Sequence, residues 1–153
     1  MKSIKSILIS VGTTKFENLI KIIDDEEFYK SLDNLKVEKL LIQKGNGLNI
    51  PEKFKELKFN NLNVEVVEYV QNLKELLSKF DVIVCHCGAG TILESVQLKK
   101  IIIACTNDTL MDNHQKELAD RLVEKNYIYH SEYSTIKSKI IDVINGKEKP
   151  LTE

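Results

Sequence analysis

The residues best suited to chemistry are His86-Cys87-Gly88-Ala89-Gly90-Thr91-Ile92-Leu93-Glu94, which follow the apolar run Val82-Ile83-Val84-Cys85 and open a segment of helical character. The pattern predicts a strand, a glycine hinge and a helix. Gly88 and Gly90 allow the backbone to come close to a ligand, and the first N–H groups of the following helix have no partner within the helix. An anion is the natural occupant of such a place. Glu94 lies about one turn into that helix, where a carboxylate can accept hydrogen bonds from neighbouring hydroxyls, as acidic residues near a dinucleotide ribose do. Phosphate and a diol together point to a nucleotide. From spacing alone, Glu94 is equally a solvent-facing glutamate on an amphipathic helix.

Two further polar segments follow predicted strands. Gly12-Thr13-Thr14 follows Ile7 to Val11; Thr14 with Glu17 three residues on fits a capping box, and the same loop can also offer its oxygens and amides to a ligand. Asn107-Asp108-Thr109-Leu110-Met111-Asp112-Asn113-His114-Gln115 follows Ile101 to Ala104. Asp112 and Gln115 form another possible helix cap, while Asn113, His114 and Gln115 carry the paired donors and acceptors that sugar hydroxyls and amides require. His86, at a strand end, either reaches a cleft or satisfies a backbone group, and His130 is expected to follow the sixth strand near the surface.

Positioning these segments is the task of an alternating pattern. Strands are predicted at Ile7 to Val11, Lys39 to Gln43, Val64 to Glu68, Val82 to Cys85, Ile101 to Ala104 and, weakly, Tyr127 to Tyr129. Between them run helical stripes: Phe16, Leu19, Ile20, Ile23; Phe28, Leu32, Leu35; Leu73, Leu76, Leu77; Ile92, Leu93, Val96; Leu118, Leu122, Val123; and Ile136, Ile140, Ile144. Lys44 to Asn63 reads as a loop with a short helical turn at Glu52 to Leu57. Near-continuous apolar strands alternating with helices define an α/β fold, a Rossmann-like doubly wound parallel sheet of about six strands. In the Rossmann strand order the first and fourth strands are neighbours, so Gly12 to Thr14 would face Gly88 to Thr91 across the topological switch point.

Length and composition set the outer bounds. A chain of 153 residues makes one domain of ordinary size, 1–153, with enough length for a proper core. The apolar fraction of 42% and charged fraction of 29% are those of a globular protein, and a formal net charge of -1 without a basic stripe gives no electrostatic reason to expect nucleic acid. Arg121 is the sole arginine among 22 basic residues, so bidentate clamping of a phosphate has at most one source, and backbone amides must do more. The lysines and apolar run at the N-terminus are too short and broken for a signal segment, and no stretch approaches the ~20 apolar residues of a membrane span. A cytoplasmic protein is expected, which also suits three cysteines (Cys85, Cys87 and Cys105) without a paired framework. Cys85 and Cys87 flank His86, but ligands at alternate strand positions without a second cluster do not make a four-ligand zinc site, and no metal is expected. The acidic run Asp24-Asp25-Glu26-Glu27 is read as a solvated helix boundary.

Taken together, Val11-Gly12-Thr13-Thr14-Lys15-Phe16, Asp81 to Glu94 and Asn107 to Gln115 resemble the catalytic subunit of the UDP-N-acetylglucosamine transferase of lipid-linked oligosaccharide synthesis. The chain is also similar to the C-terminal half of the bacterial peptidoglycan N-acetylglucosaminyltransferase, a GT-B enzyme of glycosyltransferase family 28. The similarity covers nearly the whole chain with its motifs in order, and implies a single GT-B half-domain. It implies that Gly88, Ala89, Gly90 and Thr91 cradle the UDP diphosphate and Glu94 meets the ribose. By the same resemblance Asn113, His114 and Gln115 touch the sugar, Val70 in the turn Tyr69-Val70-Gln71 contacts the uracil through its backbone, and Gly12, Thr13 and Thr14 lie between donor and acceptor. Cys87 stands where many relatives carry a small residue.

The implied reaction is inverting transfer of N-acetylglucosamine from UDP-N-acetylglucosamine to dolichyl-diphosphate-N-acetylglucosamine, with no cofactor. His86 is the one candidate named for the acceptor's general base. The implied partner is a membrane-anchored subunit that supplies the acceptor half and recruits this chain to the cytosolic face of the endoplasmic reticulum. The short tail beyond Asn145 gives no expectation of an additional anchoring segment. Two alternatives stand beside this reading: a split bacterial exopolysaccharide transferase using another nucleotide sugar, and a noncatalytic nucleotide-sugar-binding scaffold subunit.

Overall fold

The structure, a computed structural model, describes residues 4–10, 17–45, 50–68, 73–86, 100–106, 121 and 128–146. Six strands form one sheet: β1 (Ser6–Ser10), β2 (Lys39–Gln43), β3 (Asn63–Val67), β4 (Val82–His86), β5 (Ile101–Thr106) and β6 (Tyr129–Glu132). Their order is β3-β2-β1-β4-β5-β6, and every neighbouring pair is parallel. The first five strands lie within a residue or two of the predicted runs. The sixth differs: it begins at Tyr129, so His130 lies within the strand, opposite Ala104, and is half-buried rather than following it. Tyr129-His130-Ser131-Glu132 carries too little apolar pattern to announce a strand; its pairing with β5 makes it one.

Strand residues alternate between two cores because successive side chains leave opposite faces of the pleat. Ile7, Ile9, Leu40, Ile42, Val82, Val84, Ile103 and Cys105 face one side. Leu8, Leu41, Ile83, Cys85, Ile102 and Ala104 face the other. The first side is covered by α1 (Glu17–Ile23), α2 (Glu26–Asn34) and α4 (Ile136–Ile144), and α3 (Leu73–Leu77) adds Leu77 to the second. Cys85 and Cys105 are buried, without a disulfide, and act as small apolar core residues, as expected. In α4 the buried stripe is Ile136, Ile140 and Val143, with Ile144 partly exposed, so the turn-by-turn spacing ends one residue earlier than the predicted stripe.

The acidic run is both a cap and a tie. Asp25 has extended backbone angles and its carboxylate accepts the N–H of Phe28 at 3.0 Å, while Glu26 and Glu27 occupy the first turn of α2 where the helix dipole favours them. Asp24 is more than solvated: its carboxylate accepts the Tyr29 hydroxyl at 2.8 Å and the backbone N–H groups of Glu52 and Lys53 at 3.1 and 3.0 Å. That fixes the predicted short turn, a 3-10 helix at Lys53–Glu56, against α2. Burial, then the hydrogen bond to Asp24 and the charges of Asp24 and Asp25, push the Tyr29 hydroxyl far above the ordinary phenol value, so it remains a donor. At the other end of α2, Lys36 turns the chain with a left-handed φ of 66°, an unusual conformation for a residue with a side chain, and Val37 donates to the carbonyl of Leu32.

Candidate functional site at the carboxyl edge

Two connections run outward from β1 in opposite directions, through β2 to β3 and through β4 to β6, so the topological switch point lies between β1 and β4. Ser10, the last residue of β1, is in register with Gln43 of β2 and Cys85 of β4; His86 is in register with Cys105 of β5. Adjacent strands lie about 4.8 Å apart, so the carboxyl ends of β1, β4 and β5 open within about 10 Å of one another. The sequence continues from these three ends into Gly12-Thr13-Thr14, Gly88-Ala89-Gly90-Thr91 with Glu94, and Asn113-His114-Gln115. The expected adjacency of the first and fourth strands is thus present.

Of the candidate residues, His86 is the last residue of β4. Gly12, Thr13, Thr14, Val70, Gly88, Ala89, Gly90, Thr91, Glu94, Asn113, His114 and Gln115 lie outside the described residues, as do Cys87 and the two helical stripes around Ile92 and Leu118. Arg121 is helical and exposed.

Two residues at this edge were not singled out from the sequence. Ser10 and Gln43 are each only 2% exposed, and the Ser10 hydroxyl donates to Gln43 Oε1. Gln43 Nε2 donates in turn to the carbonyl of Glu68, just past β3, at 2.9 Å. The same carbonyl accepts the N–H of Gly45 at 3.1 Å, and Lys44 donates to the carbonyl of Val67 at 2.9 Å. Gly45 is buried and has φ 67°, a conformation a side chain would disfavour. The available signal was modest: Ser10 and Gln43 are the polar residues that close the runs Ile7-Leu8-Ile9 and Leu40-Leu41-Ile42. At the far end of this edge, Ser131 is buried and its hydroxyl donates to the carbonyl of Glu132 and lies 3.1 Å from that of Thr135.

An open parallel sheet in this strand order, with polar segments following its switch point in the sequence, is a doubly wound α/β fold, the fold of the GT-B glycosyltransferase halves among its structural neighbours. Residues 6–153 match the glycosyltransferase family 28 C-terminal domain, and the chain belongs to that family. It is 32% identical over 126 residues to the UDP-N-acetylglucosamine transferase subunit ALG13 of Homo sapiens, spanning 82% of this chain but 11% of the human protein. To the protein of the same name from Candida albicans it is 34% identical over 165 residues, 83% of this chain and 56% of the relative. The chain therefore spans a small part of the human relative and about half of the yeast one. An NMR solution structure of ALG13 superposes with a TM-score of 0.69 at 24% identity, covering 97% of this chain and 89% of the other. The crystal structure of Acinetobacter baumannii MurG gives 0.69 at 19% identity, covering 95% of this chain and 41% of that enzyme. Among the described residues no helix is long and apolar enough to cross a membrane.

Proposed function

We propose that this chain is the donor-binding subunit of a two-subunit transferase that moves N-acetylglucosamine, with inversion, from UDP-N-acetylglucosamine to dolichyl-diphosphate-N-acetylglucosamine. The observation that carries the reading is the juxtaposition of the β1, β4 and β5 carboxyl ends in a family 28 domain, with the glycine-rich and amide-rich segments following directly in the sequence. The names of the curated relatives support the donor. In this reading the N–H groups of Gly88 to Thr91 receive the diphosphate, and Glu94 accepts from the ribose hydroxyls. Asn113, His114 and Gln115 hold the sugar, and Val70 meets the uracil.

Chemistry then follows from charge. The acceptor oxygen attacks the anomeric carbon as UDP leaves, and negative charge grows on the leaving diphosphate. Oriented backbone N–H groups stabilise that charge without reorganising at the moment of reaction, and no metal is required. Gly12, Thr13 and Thr14 stand between donor and acceptor, and His86 is the candidate for taking the acceptor's proton. A single GT-B half makes half an active site, so a membrane-anchored subunit supplies the acceptor side and brings this chain to the cytosolic face of the endoplasmic reticulum.

The test is a transfer assay on lipid-linked acceptor, with the purified chain alone and with the chain co-purified with its membrane partner. Transfer is expected only in the second arm and unchanged by EDTA. Full activity of the chain alone overturns the two-subunit reading; activity abolished by EDTA and restored by a divalent cation overturns the metal-free one.

A further inference from the structure

Among the described residues of the sheet, the buried polar side chains are Ser10, Gln43 and Ser131, all at or next to the carboxyl ends of their strands. Gln43 is unlike the other two in reach. Its amide spans from the Ser10 hydroxyl at the end of β1 to the Glu68 carbonyl beyond β3, two strands that do not touch because β2 lies between them. Buried, hydrogen-bonded polar pairs give little net stability over an apolar pair of the same shape. The surrounding strand positions are filled with Ile, Leu and Val. What the amide adds is geometry: it sets the exit of β1 and the exit of β3 relative to each other at the switch-point edge.

We propose that Gln43 is a positioning residue for nucleotide binding, acting through Ser10 and the Glu68 carbonyl to fix the β3 exit, which leads to the proposed uracil contact, against the end of β1. The inference rests on the donor site proposed above. Its effect is read as affinity for UDP, because the exit of β3 leads to Val70, the uracil contact of the donor site proposed above.

Isothermal titration of UDP into the full chain tests it. Gln43→Met keeps the volume and removes the hydrogen bonds to Ser10 and to the Glu68 carbonyl, and Ser10→Ala removes the first of these. Each is expected to raise the Kd for UDP about fivefold to tenfold, the size of one hydrogen bond's net contribution, with stoichiometry unchanged. The double variant is expected to be no weaker than Gln43→Met alone, since both act through one network. A purely structural role would instead lower the fraction of competent protein, and so the stoichiometry, while leaving Kd as it was; that result, or additive losses, overturns the proposal. If Gln43→Met does not fold, the wild-type chain decides: the side-chain amide signals of Gln43 should move in NMR spectra as UDP is added, and their standing still while other resonances move counts against the proposal. Failure of the wild-type chain to bind UDP at all is a different outcome, which removes the donor-site reading itself.

Discussion

The two edges of the sheet are held by opposite chemistry. At the amino edge, chain entering the strands presents N–H groups, and carboxylates receive them. Asp81 accepts from Lys5 and Ser6 at 2.8 and 3.2 Å. Asp33, at the end of α2, accepts from Asn60, Asn61 and Leu62 at 3.0, 2.7 and 2.9 Å as they lead into β3. At the carboxyl edge, carbonyls are left over, and neutral donors meet them: Gln43 for Glu68, and Ser131 for Glu132. The direction of a parallel sheet dictates this asymmetry, because all its strands present the same end of the backbone to the same edge. The consequence is functional. Among the described residues, the buried charge of Asp33 sits on the edge that only has to hold, and the buried polar groups of the edge proposed to receive a diphosphate are neutral.

That contrast can be broken from either side. The largest expected effect is at the amino edge: Asp33→Ala strands the buried Leu62 N–H and two more exposed donors, and should cost about 3 kcal/mol of stability in chemical denaturation, with UDP affinity per folded molecule unchanged. A comparable loss of affinity would mean the two edges are coupled. At the opposite edge, Glu94→Ala should weaken UDP-N-acetylglucosamine binding by about 1.5 to 3 kcal/mol, the worth of a hydrogen bond to a charged group, while leaving thermal stability alone. Unaltered affinity would take Glu94 out of the site.

Acid should separate the edges next. Burial raises the Asp33 carboxyl, but the N–H groups of Asn60, Asn61 and Leu62 outweigh it and hold it below the ordinary carboxylate value. A depressed carboxyl contributes stability that is fully present above its unfolded value, about pH 4, and is lost as pH falls through the folded value. Wild-type stability should therefore drop below about pH 4, and an Asp33→Asn variant should follow a flatter curve there. Equal slopes would assign acid sensitivity elsewhere. Smallest of all, Lys36→Gly at the left-handed turn before β2 should stabilise by up to about 1 kcal/mol in the same denaturation measurement; Gly45, with the same hand of turn at the carboxyl edge, already has the residue that geometry prefers.

Strand positions were readable because Ile7-Leu8-Ile9, Leu40-Leu41-Ile42 and Ile102-Ile103-Ala104 are buried on both faces and need no partner to be recognised. The strand order was readable because crossovers in such folds keep one hand and glycine-rich turns mark the switch point. Asp33 and Gln43 were not. Each bonds a segment 25 to 29 residues away, and in one dimension Asp33 is an ordinary polar helix residue and Gln43 an ordinary strand end. His130 and the last strand were misplaced for a related reason: an edge strand with mixed residues is defined by its neighbour, not by its own period. The segments proposed to bind the donor follow the carboxyl ends of β1, β4 and β5 in the sequence, and the sheet explains why stretches so far apart in the chain follow adjacent strand ends.

The first strand is also one of the innermost, and its second neighbour, β4, is tied to it by contacts 75 and 76 residues apart. During synthesis, β1 can pair with β2 early, yet its other side stays bare until the ribosome has released Asp81 and the strand beyond it. An uncovered row of Ile, Leu and Ile backbone is an invitation to foreign strands. Chains stalled or truncated before residue 86 are thus the form in which this protein should aggregate and call on chaperones.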